Sequence, residues 1–194
     1  MEKDSVESDF KVVIIGGSAG SLQVLMRILP ELTTIKSYAL IIVLHRKNSD
    51  DSTLEELIAL KTKVKVKEVE DKVAVLPGFI YVAPSDYHLL FEKTNVLSLD
   101  ISEKINYSRP SIDVSFQSAA EVYQSNLTGI LLSGANADGT QGLIAIKNLG
   151  GHTIVQDPLN AEVPFMPNHA IENATIDEIR DIDGLKDYLL SLNR

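Results

Sequence analysis

The sequence predicts an α/β fold, with a doubly wound, mostly parallel sheet, helices on both faces and a small antiparallel hairpin region. Three observations support this prediction. Short apolar runs alternate with longer amphipathic stretches along most of the chain. The runs near both ends are continuous and rich in Val, Ile and Leu, which is typical of parallel strands buried on both faces. In the middle, shorter runs separated by turn residues favour antiparallel pairing.

The first half of the chain begins with two strand-then-helix units. Their elements are predicted, in order, at Lys11–Ile15, Ser21–Leu29, Ala39–Leu44 and Ser52–Lys61. In the first helix, apolar residues starting at Leu22 recur at i, i+3, i+4 and i+7, the spacing of one helical face. Val alternates with charged residues over Val64–Val69, which predicts a half-exposed strand. Another strand is predicted over Gly78–Ala83, ending at Pro84.

The second half returns to alternating strands and helices after a predicted hairpin of Leu89–Phe91 with Val96–Leu99. Ser111 follows Arg109-Pro110 and is the expected N-cap of the next helix. The later helices are predicted over Ser111–Tyr123, Gly139–Leu149 and Asp183–Leu192. The strands between them are predicted over Leu127–Leu132 and Thr153–Gln156. Right-handed crossovers between such strands place helices on both faces of one sheet.

Length, charge and composition exclude several classes of protein. The 194 residues suit one domain, predicted over residues 11–194, behind a poorly ordered tail at residues 1–10. Lys and Arg total 18 against 27 Asp and Glu, a net charge of -9, so nucleic acid is not an expected partner. The chain has no cysteine, no signal-peptide pattern and no apolar run that could span a bilayer. We therefore expect a cytoplasmic protein without membrane insertion.

A glycine-rich turn joins the first predicted strand to the first predicted helix. The segment Gly16-Gly17-Ser18-Ala19-Gly20 matches the G-x-S-x-G pattern, in which glycines allow a sharp turn and expose the serine hydroxyl. Backbone N–H groups at a helix start can hold an oxyanion or a phosphate. The motif therefore leaves open a nucleophile at Ser18, a phosphate-binding turn and a simple helix cap.

A dinucleotide site is the nearest alternative for this turn. The pattern G-x-G-x-x-G fails from either of the first two glycines, and His45 follows the second strand where an acidic ribose ligand is expected. NAD is therefore disfavoured. Arg46 and Lys47 still leave an opening for the phosphorylated ribose of an NADP-like nucleotide.

The position of a catalytic base follows from the predicted sheet. Ligands of open α/β sheets bind beyond the carboxyl ends of the strands, so a base for Ser18 should also follow a strand. Among the four histidines only His45 comes directly after one. His45 is therefore the candidate base, with a strand-end histidine held by a backbone carbonyl as the alternative.

The third catalytic group is not decided by position alone. Asp86, Asp138 and Asp157 each lie in a loop after a predicted strand. Asp138 could equally cap the helix that follows it. A carboxylate is expected because it fixes the tautomer of an imidazole that takes the proton from a serine hydroxyl, and the N–H of Ala19 is a candidate oxyanion donor.

With these residues considered together, the sequence resembles the catalytic domain of CheB-type protein-glutamate methylesterases of bacterial chemotaxis, from about Lys11 to Asp183. The matching segments occur in one order: Ile14-Ile15-Gly16-Gly17-Ser18-Ala19-Gly20, His45, Ala83-Pro84-Ser85-Asp86-Tyr87-His88-Leu89-Leu90, Arg109-Pro110-Ser111-Ile112-Asp113-Val114, Leu131-Leu132-Ser133-Gly134, Asp138-Gly139, Gly142-Leu143, Gly150-Gly151, Gln156-Asp157 and Met166-Pro167.

The resemblance implies specific roles and partners. It assigns Ser18 as nucleophile, His45 as base and Asp138 as orienting carboxylate, with the backbone at Ala135 as a second oxyanion donor beside Ala19. It also implies hydrolysis of glutamate γ-methyl esters on methyl-accepting chemotaxis receptors, with release of methanol, and in some members deamidation of receptor glutamines. It requires no metal or organic cofactor.

Three features depart from the family pattern. Gly134-Ala135-Asn136 stands where the family usually has Gly-Met-Gly, and Arg46-Lys47 replace the usual Met-Pro after the histidine. We also expect no receiver domain, because the residues before the first strand are too few to form one. An NADP-like nucleotide-binding domain and a catalytically silent receptor-binding module are the alternative functions, and the oligomeric state is left open.

Overall fold

A computed structural model describes residues 10–46 and 53–193 of the chain. In this part of the chain the strands are, in order, β1 (Lys11–Gly17), β2 (Tyr38–Leu44), β3 (Lys65–Glu68), β4 (Val73–Ala74), β5 (Phe79–Val82), β6 (His88–Glu92), β7 (Val96–Asp100), β8 (Leu127–Leu131), β9 (His152–Gln156) and β10 (Glu178–Arg180). Seven of them form one sheet in the order β10-β9-β8-β1-β2-β5-β3, in which every neighbouring pair is parallel. The predicted fold class is confirmed.

The central strands are continuous apolar runs because both of their faces are covered. Every residue of β2 is buried, as is every residue of β1 after Lys11. Along β1, Val12 and Ile14 enter one apolar cluster while Val13 and Ile15 enter the other. The period-2 geometry of a strand thus divides the core into two layers, one on each side of the sheet.

Helices cover both faces of the parallel sheet. They are α1 (Ser21–Ile28), α2 (Thr53–Lys61), α3 (Ile112–Tyr123), α4 (Thr140–Asn148), α5 (Phe165–Asn173) and α6 (Ile182–Ser191). One core layer contains apolar residues of α1, α2 and α6, and the other contains those of α3, α4 and α5. None of these helices, which lie in the described parts of the chain, has the length and apolar character to cross a bilayer.

The antiparallel region forms a second sheet in the order β4-β7-β6. The predicted hairpin is present, with Leu89 of β6 opposite Leu99 of β7. Leu89, Phe91 and Leu97 pack into the core layer that contains α3. The chain then passes through residues 101–111, which connect β7 to α3 and contribute to the candidate site described below.

The strand order places a binding crevice at the carboxyl edge of the sheet. From β1 the chain builds outward through β2 on one side, and later continues through β8 on the other. In open parallel sheets such a reversal leaves a crevice beyond the carboxyl ends of the two central strands. The segments that leave β1, β2 and β8 therefore meet at one place.

Several elements were not predicted from the sequence. The helix α5 has few buried side chains, Met166, Pro167 and Ala170, so its apolar periodicity is weak. The strand β10 spans three residues with little burial, and β4 spans two. Of the predicted tail, residues 1–9 lie outside the described residues, whereas Phe10 packs near the ring of Tyr123. Ser52, the predicted start of the second helix, also lies outside them.

Candidate active site

Ser18 and His45 follow neighbouring strands at the same end of the sheet. β1 and β2 pair with Gly17 opposite Leu44, and the N–H of His45 donates to the carbonyl oxygen of Gly17 at 3.0 Å. Adjacent strands lie about 4.8 Å apart. The residues that come next on the two strands are therefore neighbours, and Ser18 and His45 line one pocket.

The turn that presents Ser18 is bonded to the loop after β8. The N–H of Ser18 donates to the carbonyl oxygen of Ser133 at 2.9 Å and to Oγ of Ser21 at 3.1 Å. The Ser21 hydroxyl in turn donates to the same carbonyl at 2.7 Å. Gly20 has φ +83°, and a Cβ there would lie 2.7 Å from Oγ of Ser133, so the last glycine of the motif is required by both conformation and space.

Asp138 lies at the end of the β8 loop and is fully buried. Its Oδ1 accepts hydrogen bonds from the hydroxyl of Ser111 at 3.0 Å and the N–H of Asp113 at 2.9 Å. Its Oδ2 accepts from the N–H of Ile112 and from Nε2 of His45, both at 2.7 Å. Burial alone would raise the pKa of Asp138, but the bonds from His45 and the two backbone N–H groups hold it below the usual value.

This contact determines the tautomer of His45. An ionised Asp138 can only accept, so Nε2 carries the hydrogen and Nδ1 has the free lone pair. Oγ of Ser108 lies 3.4 Å from Nδ1, which is long for a hydrogen bond from oxygen. Ser18 forms no side-chain hydrogen bond with His45 in the described residues, although both face the same pocket.

The two predicted oxyanion donors have free backbone N–H groups. Within the described chain, the N–H groups of Ala19 and Ala135 make no hydrogen bond to protein acceptors. The loop around Ala135 is held by its neighbours, since the N–H of Gly134 donates to the carbonyl of Val163 at 3.1 Å. Oδ1 of Asn136 accepts the N–H of Asp138 at 3.0 Å. The departure from the family pattern at Asn136 thus supplies an Asx-type turn before the carboxylate.

The pocket has a volume of about 420 Å³ and is mostly polar. Its lining residues come from the β1 and β2 ends, the β5–β6 loop and the β7–α3 connection: Ser18, His45, Arg46, Asp86, Lys104, Tyr107, Ser108 and Arg109. The side chain of Tyr107 is 98% exposed at the edge of this pocket. Of the two basic residues noted after the histidine, Arg46 lines the pocket and Lys47 lies outside the described residues.

The remaining sequence candidates have other partners. Asp157 caps a short 3-10 turn by accepting the N–H of Leu159 at 2.9 Å, and Asp86 lies 3.9 Å from Arg109. The other histidines also have partners: His88 contacts the carbonyl oxygen of Glu103, His152 contacts Glu178 and His169 contacts Thr140. In the described ranges no group of three or more His, Asp or Glu side chains is placed to hold a metal ion.

Asp113 is a second buried carboxylate beside Asp138, and it was not among the site residues predicted from the sequence. Its Oδ1 accepts the N–H groups of Gly139 at 2.9 Å and Gly142 at 2.8 Å, so it ties α3 to the start of α4. Burial raises the pKa of Asp113 to about 6, and the negative charge of Asp138 adds to the shift. In the sequence, the one feature that could have indicated a role for Asp113 is that it directly follows Ser111-Ile112, in a segment that matches the family.

The fold and the site together indicate the class of protein to which this chain belongs. A hydroxyl, an imidazole and a buried carboxylate meet at the carboxyl edge of a parallel sheet, beside unused backbone N–H groups, which is the type of site found in serine hydrolases. Residues 13–189 match the family described as CheB methylesterase, and the chain belongs to that family.

Named relatives agree with this assignment. A Leptospira interrogans protein, provisionally named a protein-glutamate methylesterase/protein-glutamine glutaminase, is 40% identical over 186 residues, covering 96% of each chain. The protein-glutamate methylesterase/protein-glutamine glutaminase of Thermotoga maritima is 34% identical over 185 residues, covering 94% of this chain and 54% of that protein. The chain therefore spans about half the length of the second relative.

A solved structure shows the same fold. The crystal structure of the Thermotoga maritima CheB methylesterase catalytic domain superposes with a TM-score of 0.87 at 32% sequence identity. The match covers 95% of this chain and all of that domain. These relatives lend no support to the NADP-like or catalytically silent alternatives.

Proposed function

We propose that this protein is a serine hydrolase that removes methyl groups from glutamate γ-methyl esters of methyl-accepting chemotaxis receptors, releasing methanol. The proposal extends to deamidation of receptor glutamines at the same site and to a cytoplasmic location, as the family resemblance implies. The observation that supports it most is the 2.7 Å bond between His45 and the buried Asp138, at the pocket that also contains Ser18.

The first half of the reaction acylates Ser18. Nδ1 of His45 takes the proton of the Ser18 hydroxyl as the oxygen attacks the ester carbonyl carbon. Asp138 holds the imidazole in the required tautomer and stabilises the imidazolium. His45 then gives the proton to the departing methoxide, so methanol leaves and the glutamyl group remains esterified to Ser18.

The oxyanion of each tetrahedral intermediate needs donors that are already in place. The unused N–H groups of Ala19 and Ala135 are the proposed donors, and each such donor is worth ~3–4 kcal/mol of transition-state stabilisation. In the second half, His45 deprotonates a water molecule that attacks the acyl carbon, then returns the proton to Ser18. A glutamine follows the same route, with ammonia as the leaving group.

The test compares methanol release from methylated receptor membranes by the wild type and Ser18→Ala. We expect the variant to lose release by at least ~10³-fold, because no other group replaces the nucleophile. Ser125→Ala, an exposed serine outside the site, is the matched control and should keep full activity. Methanol release that persists in a folded Ser18→Ala protein would overturn the proposal, and receptor binding without any turnover by the wild type would favour a silent module.

A further inference from the structure

The pocket that contains Ser18 is locally basic, although the chain is acidic overall. Arg46, Lys104 and Arg109, here called the basic wall, line the pocket against one lining carboxylate, Asp86. The whole chain has a net charge of -9. A local excess of positive charge in a cleft attracts anions whatever the total charge of the protein.

Arg46 is held in place but only partly neutralised. Its Nη2 donates to the carbonyl oxygen of Ala83 at 3.2 Å and lies 3.5 Å from Oε1 of Glu68. Glu68 is shared with Glu55, since burial and the hydrogen bond with Glu55 raise the pKa of Glu68 while Arg46 lowers it. Nε of Arg46 is buried and has no hydrogen-bond partner in the described chain. A charged donor left unpaired favours binding of a further acceptor.

The other two cations are also incompletely paired. Arg109 donates through Nη1 to the carbonyl oxygens of Ile101 and Ser102, and its distance to Asp86 is 3.9 Å, at the outer limit of an ion pair. Lys104 is exposed and makes no ion pair with a described residue. The basic wall therefore presents more positive charge than its own carboxylates balance.

The reacting group of the proposed substrate does not account for this charge. A glutamyl methyl ester and a glutamine side chain are both neutral, and the anionic intermediates are met by backbone N–H groups beside Ser18. A carboxylate elsewhere on the same polypeptide would match the basic wall, since guanidinium groups bind carboxylates in a charge-assisted, often bidentate manner.

We propose that Arg46 is a specificity-determining residue that binds a carboxylate of the polypeptide substrate next to the target glutamyl ester, with Lys104 adding to the local positive potential. The inference rests on the proposed function. Arg46 belongs to the Arg46-Lys47 pair that stands after the histidine in place of the usual Met-Pro.

The experiment separates binding of the polypeptide from chemistry at Ser18. Initial rates are measured on methylated receptor membranes and on p-nitrophenyl acetate, a small neutral ester that has no second carboxylate. Arg46→Gln should raise KM for the receptor about tenfold, the value of one partly exposed charged hydrogen bond, and leave kcat nearly unchanged. The loss of kcat/KM on p-nitrophenyl acetate should be much smaller than the loss on the receptor, and Arg46→Lys should recover part of the lost affinity for the receptor.

Two controls complete the test. Arg27→Gln removes the same charge from an exposed position on α1 and should alter neither substrate's kinetics. A receptor in which the acidic residues flanking the methylated glutamate are replaced by alanine should raise KM for the wild type, with no further rise for Arg46→Gln.

The possible failures are distinguishable. Equal loss on both substrates would give Arg46 a purely structural role, and an unchanged KM on the receptor would leave it no role in recognition; either result overturns the inference. A wild type that releases no methanol from the receptor contradicts the proposed function itself.

Discussion

Asp138 remains ionised in a fully buried position because several donors converge on it. The N–H groups of Ile112 and Asp113 come from the first turn of α3, where the helix dipole also favours a negative charge. The hydroxyl of Ser111, the N-cap of the same helix, supplies a further donor. The carboxylate that orients His45 is therefore stabilised by the end of a helix that is distant in sequence.

Replacement of Asp138 by Asn tests this arrangement at the scale of one residue. The neutral amide is a weaker acceptor for the Nε2–H group of His45 than the carboxylate. Its NH₂ group also faces one of the surrounding donors, so one hydrogen bond is lost. We expect methanol release to fall about 10³–10⁴-fold, as for loss of the orienting carboxylate in other serine hydrolases. The measurement is the initial rate of methanol release at pH 7, with folding checked by circular dichroism.

Asp157→Asn is the matched control for that substitution. Asp157 also follows a strand of the sheet, but it caps a 3-10 turn and does not line the pocket. Its replacement should change the rate by less than about twofold and leave the unfolding free energy nearly unchanged, because Asn caps a turn about as well as Asp. Equal loss of activity in both variants would remove the special role assigned to Asp138.

At the scale of elements, prediction from sequence succeeds where burial imposes a strong pattern. The runs at β1, β2 and β8 are apolar because the sheet is covered on both faces, and their predicted bounds agree with the structure to within two residues. The helix α5 was missed because it lies against the protein with only three buried side chains. The edge strand β10 was missed because its three residues leave no periodicity to detect.

The same limit applies to the site. The G-x-S-x-G motif selected Ser18, and the rule that ligands gather at strand ends selected His45, which directly follows a buried strand. It did not separate Asp138 from Asp86 and Asp157, because all three follow strands. The choice depends on which carboxylate the α3 N-terminus contacts, and that is a tertiary contact without a local signal. The family resemblance supplied the assignment, and the hydrogen bonds around Asp138 support it.

The loop after β8 provides a prediction at this scale. A Cβ at Gly134 would lie 2.5 Å from Cε of Met166 and 3.0 Å from Cβ of Ser18. The end of the methionine side chain can move, but Ser18 is bonded through its N–H to the loop. Gly134→Ala should therefore lower kcat for methanol release about 10–100-fold through displacement of Ser18, with a loss of only about 1 kcal/mol in unfolding free energy.

Gly129→Ala, on the strand β8 that precedes this loop, provides the comparison. A Cβ at Gly129 would lie 2.4 Å from Cδ1 of Ile146, so it also crowds a flexible side-chain end, but within the core. We expect a similar or larger loss of stability and no change in kcat for the protein that remains folded. If kcat falls in parallel with stability in both variants, the effect at Gly134 does not arise from the position of Ser18.

At the scale of the whole molecule, a pair of buried carboxylates links α3 and α4, on one side of the sheet, to the site. Asp113 and Asp138 lie together between α3, α4 and the sheet, yet burial and hydrogen bonding shift their pKa values in opposite directions. The pKa of Asp113 is raised to about 6, chiefly by burial, and that of Asp138 is lowered. Their effects on stability therefore fall in different pH ranges.

The pH dependence of unfolding distinguishes the two carboxylates. Because the folded pKa of Asp113 lies above its unfolded value near 3.8, the native state binds the extra proton, and this group makes the protein more stable as pH falls from about 7 to about 4. The lowered pKa of Asp138 has the opposite sign, so its stabilising contribution is present above about pH 4 and is lost below it.

Asp113→Asn should remove the first of these effects. In urea unfolding at a series of pH values, the stability of the wild type relative to the variant should increase by about 2 kcal/mol from pH 7 to about pH 4.5, since carboxylates that do not contact Asp113 cancel in the difference. Asp177→Asn, whose carboxylate has a lowered pKa, should give a constant difference over that range. If the unfolding free energies of the wild type and Asp113→Asn change in parallel with pH, Asp113 stays ionised over the whole range. The N–H groups of Gly139 and Gly142 would then offset the cost of burying its charge completely.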